Sequence, residues 1–232
     1  MHVHLPKPLH GWREFVGEVG IIVIGVLIAL AADQIVERIS WRKHVAEAKE
    51  DLRSELEGDL FNAQERARMA PCVDRRLDQL DEIIDHPPAR PWKLLPGHGV
   101  TPIRVWSASG WDSAVAAGTV THMRPQERAD YAAVYSFVRR MQDLTFDEFA
   151  VATEFRMLER GGPLSEATQD RLRANVARVR GYNQVLTLGG KQISEQIRAL
   201  GVELSPEERR MLASQTCPMP ADTIPGGAAG SR

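Results

Sequence analysis

Val19 to Ala32 reads VGIIVIGVLIALAA, fourteen residues without a polar side chain. A stretch this apolar constrains a chain more than any other feature here, because water will not solvate it and few folds can bury it whole. The flanks extend it. From Phe15 to Val36 there are 22 residues, interrupted only by Gly17, Glu18, Asp33 and Gln34. As a helix this run covers roughly 33 Å, the thickness of a bilayer's hydrocarbon. Trp12 and Trp41 bracket it, about 43 Å apart if both are helical, as interfacial tryptophans are.

Two other readings compete with a retained anchor. A cleaved signal peptide has Lys7 and Arg13 for its basic region and Ala29-Leu30-Ala31 for its cleavage site. Against it, Glu14 and Glu18 stand just before the apolar core, and the helical pattern runs past Ala32 without a break. A helix buried in a soluble protein is the third reading. The flanks favour the anchor, with residues 1–14 as a short leader and 15–36 as the transmembrane helix. On that helix Glu18, Gly25, Ala29 and Asp33 fall within about 80° of one another at 100° per residue. Gly25 and Ala29 form a small-xxx-small pair, the spacing that lets two membrane helices approach closely. A homo-oligomeric seam is the functional expectation; the ordinary abundance of Gly and Ala in membrane helices is the bland one.

Beyond the anchor the period is helical throughout. Trp41, Val45, Ala48, Leu52, Leu56, Leu60, Ala63, Ala67 and Ala70 recur every three or four residues opposite a charged face. Residues 37–86 therefore read as one long amphipathic helix, kinked near Pro71, after which Val73, Leu77, Leu80 and Ile84 keep the same phase. Residues 87–104 hold a dense run of prolines and read as a loop. Residues 105–215 read as a helical bundle: a small-residue helix from Trp106 to Gly118, a helix opening at Pro125 and stopping at Gly161-Gly162-Pro163, and one capped by Ser165. The last of these carries Leu172, Val176, Val179, Asn183, Leu186, Gly190, Ile193, Ile197 and Leu200, alternating steps of four and three. That seam passes through Gly189-Gly190, which predicts a close helix crossing there and a buried polar position at Asn183. Ser205-Pro206-Glu207-Glu208 is a capping box opening a short last helix, and residues 216–232 read as a disordered tail. The fold class expected is all-α, with an anchor, a long helical extension and helices folded back on it.

Motifs that carry chemistry are missing where the common ones are expected. Lys plus Arg (29) nearly balances Asp plus Glu (31), unlike the basic footprint of a nucleic-acid binder. His2, His4 and His10 lie in the leader, His98 and His122 stand alone, and no helix carries the paired ligands of a bundle metal site. Ser109 and Ser165 sit in no nucleophile elbow. Gly97-His98-Gly99 lacks the rest of a phosphate loop. Glu148 and Glu154 beside Phe149 and Phe155 read as an amphipathic helix, not an acid pair. No cofactor, metal or enzymatic activity is expected. Trp106, Trp111 and Asp112 are the candidates for a pocket under the proline-rich loop, against the plainer reading of a tryptophan-anchored core.

The run Gly17-Glu18-Val19-Gly20-Ile21-Ile22-Val23-Ile24-Gly25-Val26-Leu27-Ile28-Ala29-Leu30, followed by Asp33-Gln34 and Glu37, resembles the opening of an uncharacterised family of bacterial inner-membrane proteins. The segment from Trp111 to Val120, followed by a helix with a central tyrosine (Tyr131 or Tyr135), is a second and weaker likeness. Ile35 departs from the pattern, which has an aromatic there. The resemblance implies a retained single-pass anchor and no particular activity.

The expected function is a membrane-anchored helical scaffold or interaction protein in contact with the lipid bilayer, its protein partner unknown. The alternative is a membrane-tethered ligand-binding or sensory module with its pocket near Trp106 and Trp111. Sidedness divides the signals. Two basic residues precede the span (Lys7, Arg13) and five follow it (Arg38, Arg42, Lys43, Lys49, Arg53), which points the domain to the cytoplasm. A long C-terminal domain is often exported regardless of charge, and the two cysteines, Cys72 and Cys217, form a candidate disulfide that persists only in an oxidising compartment. The expectation adopted is periplasmic.

Overall fold

A computed structural model describes residues 11–87, 101 and 103–216. The leader up to residue 10, most of the proline-rich loop and the expected tail, Cys217 included, lie outside the described residues. Among the described residues there are five α-helices and no strand: α1 Trp12–Asp85, α2 Ser109–Ala116, α3 Pro125–Ala152, α4 Glu166–Ala199 and α5 Pro206–Ser214, with 3-10 segments at Thr119–His122 and Thr153–Arg160. The all-α expectation holds.

α1 is 74 residues long, about 110 Å at the helical rise. Good helix formers fill it, and the proline it contains, Pro71, costs one intrahelical hydrogen bond without ending the helix because the tertiary packing on either side continues. From Ile21 to Ser40 every residue is exposed. From Val45 onward the apolar stripe is covered, and Leu52, Leu56, Leu60, Ala63, Leu77, Leu80 and Ile84 are fully buried. Each such leucine or isoleucine contributes on the order of 1.5–3 kcal/mol.

α4 lies along α1 and α3 packs on α4. The seam read from the sequence is the face α4 buries: Leu172, Val176, Val179, Asn183, Leu186, Gly190, Ile193 and Ile197 are all buried. At Gly190 the helices cross so closely that a Cβ would stand 3.0 Å from the Ala63 carbonyl oxygen. Only glycine fits there without a shift.

The core falls into two apolar clusters. The one nearer the N-terminus of α1 joins Leu52, Leu56 and Leu60 to Trp106, Trp111, Tyr135, Ile193 and Leu212. The far one joins Val73, Leu77 and Leu80 to Phe155, Leu172 and Val176. Between them lies a polar layer. Arg66 donates to both carboxylate oxygens of Glu148 at 2.9 and 2.6 Å and to Asn183 Oδ1 at 2.8 Å. Asn183 Nδ2 donates in turn to the Ala70 carbonyl at 3.1 Å and Asp74 Oδ1 at 2.9 Å. Burial pushes the Glu148 carboxyl above its usual pKa, and the Arg66 guanidinium opposes it. A layer of this kind permits one register between helices, since a slip strands a buried charge.

Local signals place most of the boundaries. Pro125 opens α3 at its first turn, the Ser165 side chain accepts from the Thr168 N–H, and the Ser205–Glu208 capping box is formed at α5. Two boundaries differ from the sequence expectation. The helix expected from Trp106 starts at Ser109, with residues 103–108 outside regular structure. The end of α3 tightens into a 3-10 segment before Gly161 and Gly162, both at positive φ, a common way for a helix to close.

Candidate functional site

α1 presents a second stripe beside its apolar one. Glu55, Asp59 and Asn62 recur at steps of four and three, so they share a face. The segment 104–110 runs antiparallel against that face. Arg104 forks onto Glu65, Nη2 to Oε1 at 2.7 Å. Asn62 Nδ2 donates to the Val105 carbonyl at 3.0 Å. The Ser107 N–H donates to Asp59 Oδ1 at 3.1 Å. The Ser107 hydroxyl, the Ser109 hydroxyl and the Gly110 N–H all donate to Glu55 Oε2, at 2.7, 2.8 and 2.9 Å. A Cβ on Gly110 would stand 3.2 Å from Glu55 Oε1, so glycine lets the backbone come this near. These bonds keep residues 103–108 out of helix, because their polar groups bond α1.

The electrostatics of the two acids diverge. Burial works against charge on Glu55, yet the Gly110 N–H and the Ser107, Ser109 and Tyr135 hydroxyls hold it below its usual pKa. Asp59 has one donor. Burial raises it to about 7, the Ser107 N–H opposes that rise, and the charge of Glu55 one turn away adds to it. Among the described residues Asp59 Oδ2 and Glu55 Oε1 have no hydrogen-bond partner.

Trp106 and Trp111 face the other way. Trp106 Nε1 donates to Thr145 Oγ1 at 3.2 Å. Trp111 stacks on Tyr135, ring centroids 5.5 Å apart at 13°, and on Tyr131 at 6.2 Å and 22°. Both tryptophans are core residues, filling the space where the sequence placed a pocket. Asp112 is exposed and pairs with Arg139. An open cavity of about 900 Å³ lies instead on the α1 side of the segment, walled by Glu47, Asp51, Glu55, Ser107, Ser113 and Glu208 among others.

As chemistry, the ladder is a clamp. Its serine hydroxyls donate to a carboxylate of lowered pKa, a weak base to which, among the described residues, no histidine is hydrogen-bonded. Among the described residues no cluster of three or more His, Cys, Asp or Glu is placed to hold a metal ion. The signal for the ladder was in the sequence as a polar stripe at helical spacing, parallel to the apolar one and easily taken for a solvated face.

The remaining residues singled out from sequence lie on α1. Glu18, Gly25, Ala29 and Asp33 stand on its exposed part, and nothing lies within 4 Å of a Cβ on Gly25. Trp12 is 77% exposed. Trp41 is half-buried; its indole N–H donates to Glu37 Oε1 at 3.4 Å and its ring stacks on His122, centroids 3.9 Å apart at 12°. Cys72 is buried, and Arg75 Nη2 donates to its Sγ at 3.8 Å. The pairing expected with Cys217 lies outside the described residues. Gln215, just before the end of the described chain, donates to Glu65 on α1, and Arg68 Nη2 donates to the Ala213 carbonyl at 3.0 Å.

No family model, curated protein or solved structure matches this chain.

Proposed function

We propose that this chain is a single-pass bacterial inner-membrane protein that holds a helical interaction scaffold at the bilayer surface. The observation that carries the reading is the first third of α1. It is the one helix among the described residues long and apolar enough to cross a membrane. Ile21, Ile22, Leu27, Ile28 and Leu30 are all more than half exposed, and no other element covers them. A continuous apolar helix face of this size, left bare all round, suits hydrocarbon and not water. The same helix then supplies the buried side of both core clusters, so anchor and domain are one covalent rod and the domain sits at a fixed height above the membrane. The filled core beneath Trp106 and Trp111 supports a scaffold over a ligand-binding module built on those tryptophans. The resemblance of the span to an uncharacterised bacterial membrane family agrees with this reading.

The test is fractionation. Full-length protein is expected to stay in the membrane pellet after carbonate washing. Release into the supernatant, or a mature N-terminus near Ala32, refutes the anchor.

A further inference from the structure

Where α1 leaves its apolar run, the 3-10 segment Thr119–His122 comes down to meet it. His122 stacks on Trp41, and between them and the next turns of α1 opens a cavity of about 660 Å³. Its charged lining is Glu37, Arg38, Arg42 and Lys49. Glu37 already receives the Trp41 indole N–H. Lys49 is held by Glu127 at 2.6 Å. Arg38 and Arg42 are exposed and make no ion pair or hydrogen bond among the described residues. They stand one turn apart on one face, the first of them two residues past Val36, the end of the apolar run. That is about 3 Å along the helix, and Arg42 about 9 Å, which puts both guanidinium groups in reach of the headgroup layer.

We infer that this cavity is a binding site for the headgroup of an anionic phospholipid, its phosphate taken by Arg38 and Arg42 and its glycerol region lying against the Trp41–His122 stack. The inference rests on the anchor proposed above and names a partner for it. Guanidinium forks match phosphate oxygens in geometry as well as charge. Packing does not account for two arginines with no other partner on the rim of a concave surface at headgroup height: neither touches the core. The aromatic pair, half-buried at Trp41 and exposed at His122, is a flat platform at the depth where tryptophan prefers the interface. Acids are near: Glu37 lines the site and keeps its charge, since the indole N–H it accepts is neutral, while Glu127 pairs with Lys49. Arg38 and Arg42 against Glu37 leave the site a net positive charge.

The experiment uses the full chain, reconstituted into nanodiscs of phosphatidylcholine with a minor share of phosphatidylglycerol, and counts the lipids that stay bound when the particle is released for native mass spectrometry. Phosphatidylglycerol is expected to be retained over phosphatidylcholine, by about fivefold for each arginine engaged. Arg38→Gln with Arg42→Gln is expected to abolish the preference. Arg209→Gln with Arg210→Gln, the same loss of charge on α5, is expected to leave it intact. Equal retention of the two lipids, or a preference that survives the Arg38/Arg42 exchange, overturns the site while leaving the anchor standing. Displacement of the bound lipid by inorganic phosphate overturns the lipid assignment in favour of a soluble anion. Recovery of the chain outside the discs overturns site and anchor together.

Discussion

Asp59 is buried with one donor for its two oxygens, and its carboxyl is raised to about 7. The groups that face it are Glu55 on its own helix, the Ser107 N–H from the segment before α2, and Tyr135 on α3, whose own pKa is raised by burial first and then by the charges of both acids. In the unfolded chain an aspartate titrates at about 3.9. Between about pH 4 and pH 7 the folded protein therefore holds a proton that the unfolded chain has lost, and stability falls as pH rises through that window. Asp59→Asn keeps the acceptor for Ser107 and removes the ionisation. Denaturant titrations of the detergent-solubilised chain are expected to show this slope in the wild type and a flatter profile in Asp59→Asn, with the variant ahead at pH 8 by on the order of 2–4 kcal/mol. A wild-type profile that rises between pH 4 and 7 would contradict the assignment. Two glycines of α4 give a second contrast at this scale. Gly181 has open space at its Cβ, whereas Gly190 meets the Ala63 carbonyl. Gly181→Ala is expected to stabilise by about 0.5–1 kcal/mol through helix propensity. Gly190→Val is expected to destabilise by about 1–3 kcal/mol through overpacking, read as opposite shifts in the unfolding midpoint.

At the scale of elements, α1 changes its surroundings along its length, bare over residues 21–40 and packed from Val45 on. Its first turns offer apolar residues on all sides, and its later turns offer an apolar stripe to α4, a polar stripe to residues 104–110, and charge elsewhere. Among the described residues nothing lies within 4 Å of a Cβ on Gly25, so in the proposed membrane setting the surface around it is open to lipid or to a second helix. With a small residue again at Ala29, two copies of α1 can approach closely, van der Waals packing replacing lipid contacts. Gly25→Leu adds a branched side chain at the point of approach and is expected to shift the balance in a membrane two-hybrid or crosslinking assay toward monomer. An unchanged dimer fraction removes this seam. The 104–110 segment shows the converse case, in which an element's conformation is set by another element: Trp106 and Trp111 are drawn to the core while Ser107, Ser109 and Gly110 are held by Glu55 and Asp59.

For the whole molecule the proposed anchor leaves two faces of a membrane for the domain, and the cysteines distinguish them. Ala213 and Gln215 are tied to α1 at Arg68 and Glu65. Cys72 lies one turn beyond Arg68, about 6 Å along the helix. From Ala213, held at Arg68, four residues of extended chain to Cys217 span at most about 14 Å, more than that separation. A bridge would close a loop of about 145 residues and contribute about 4–5 kcal/mol by the chain-entropy estimate. It forms in an oxidising compartment and not in the cytosol. With the domain periplasmic, maleimide applied to rapidly trapped cells is expected to label neither thiol until reductant is added. Labelling of both thiols without reductant would place the domain on the cytoplasmic side, where the count of basic residues also points.

The sequence by itself determined the order and kind of the helices, because period, caps and breakers are local. Ser165, the Ser205–Glu208 box, Pro125 and Gly161-Gly162 each act within a turn or two of where they stand. It determined the α4 seam as well, down to the close crossing at Gly190 and the buried Asn183, since an unbroken register of fours and threes is the period at which one helix packs along another. The tertiary structure alone decided which polar residues are inside. Asp59, Glu65, Arg66 and Glu148 stand on faces that read as solvated, and they are buried because α1 is covered on two sides and not one. Partners 39 to 82 residues distant bond all four, Arg104 to Glu65, the Ser107 N–H to Asp59 and Arg66 to Glu148, and no local pattern encodes such a distance. The same holds for the pairing of Trp41 with His122: each stands alone in the sequence, and only the fold lays one ring on the other where the exposed apolar run of α1 ends.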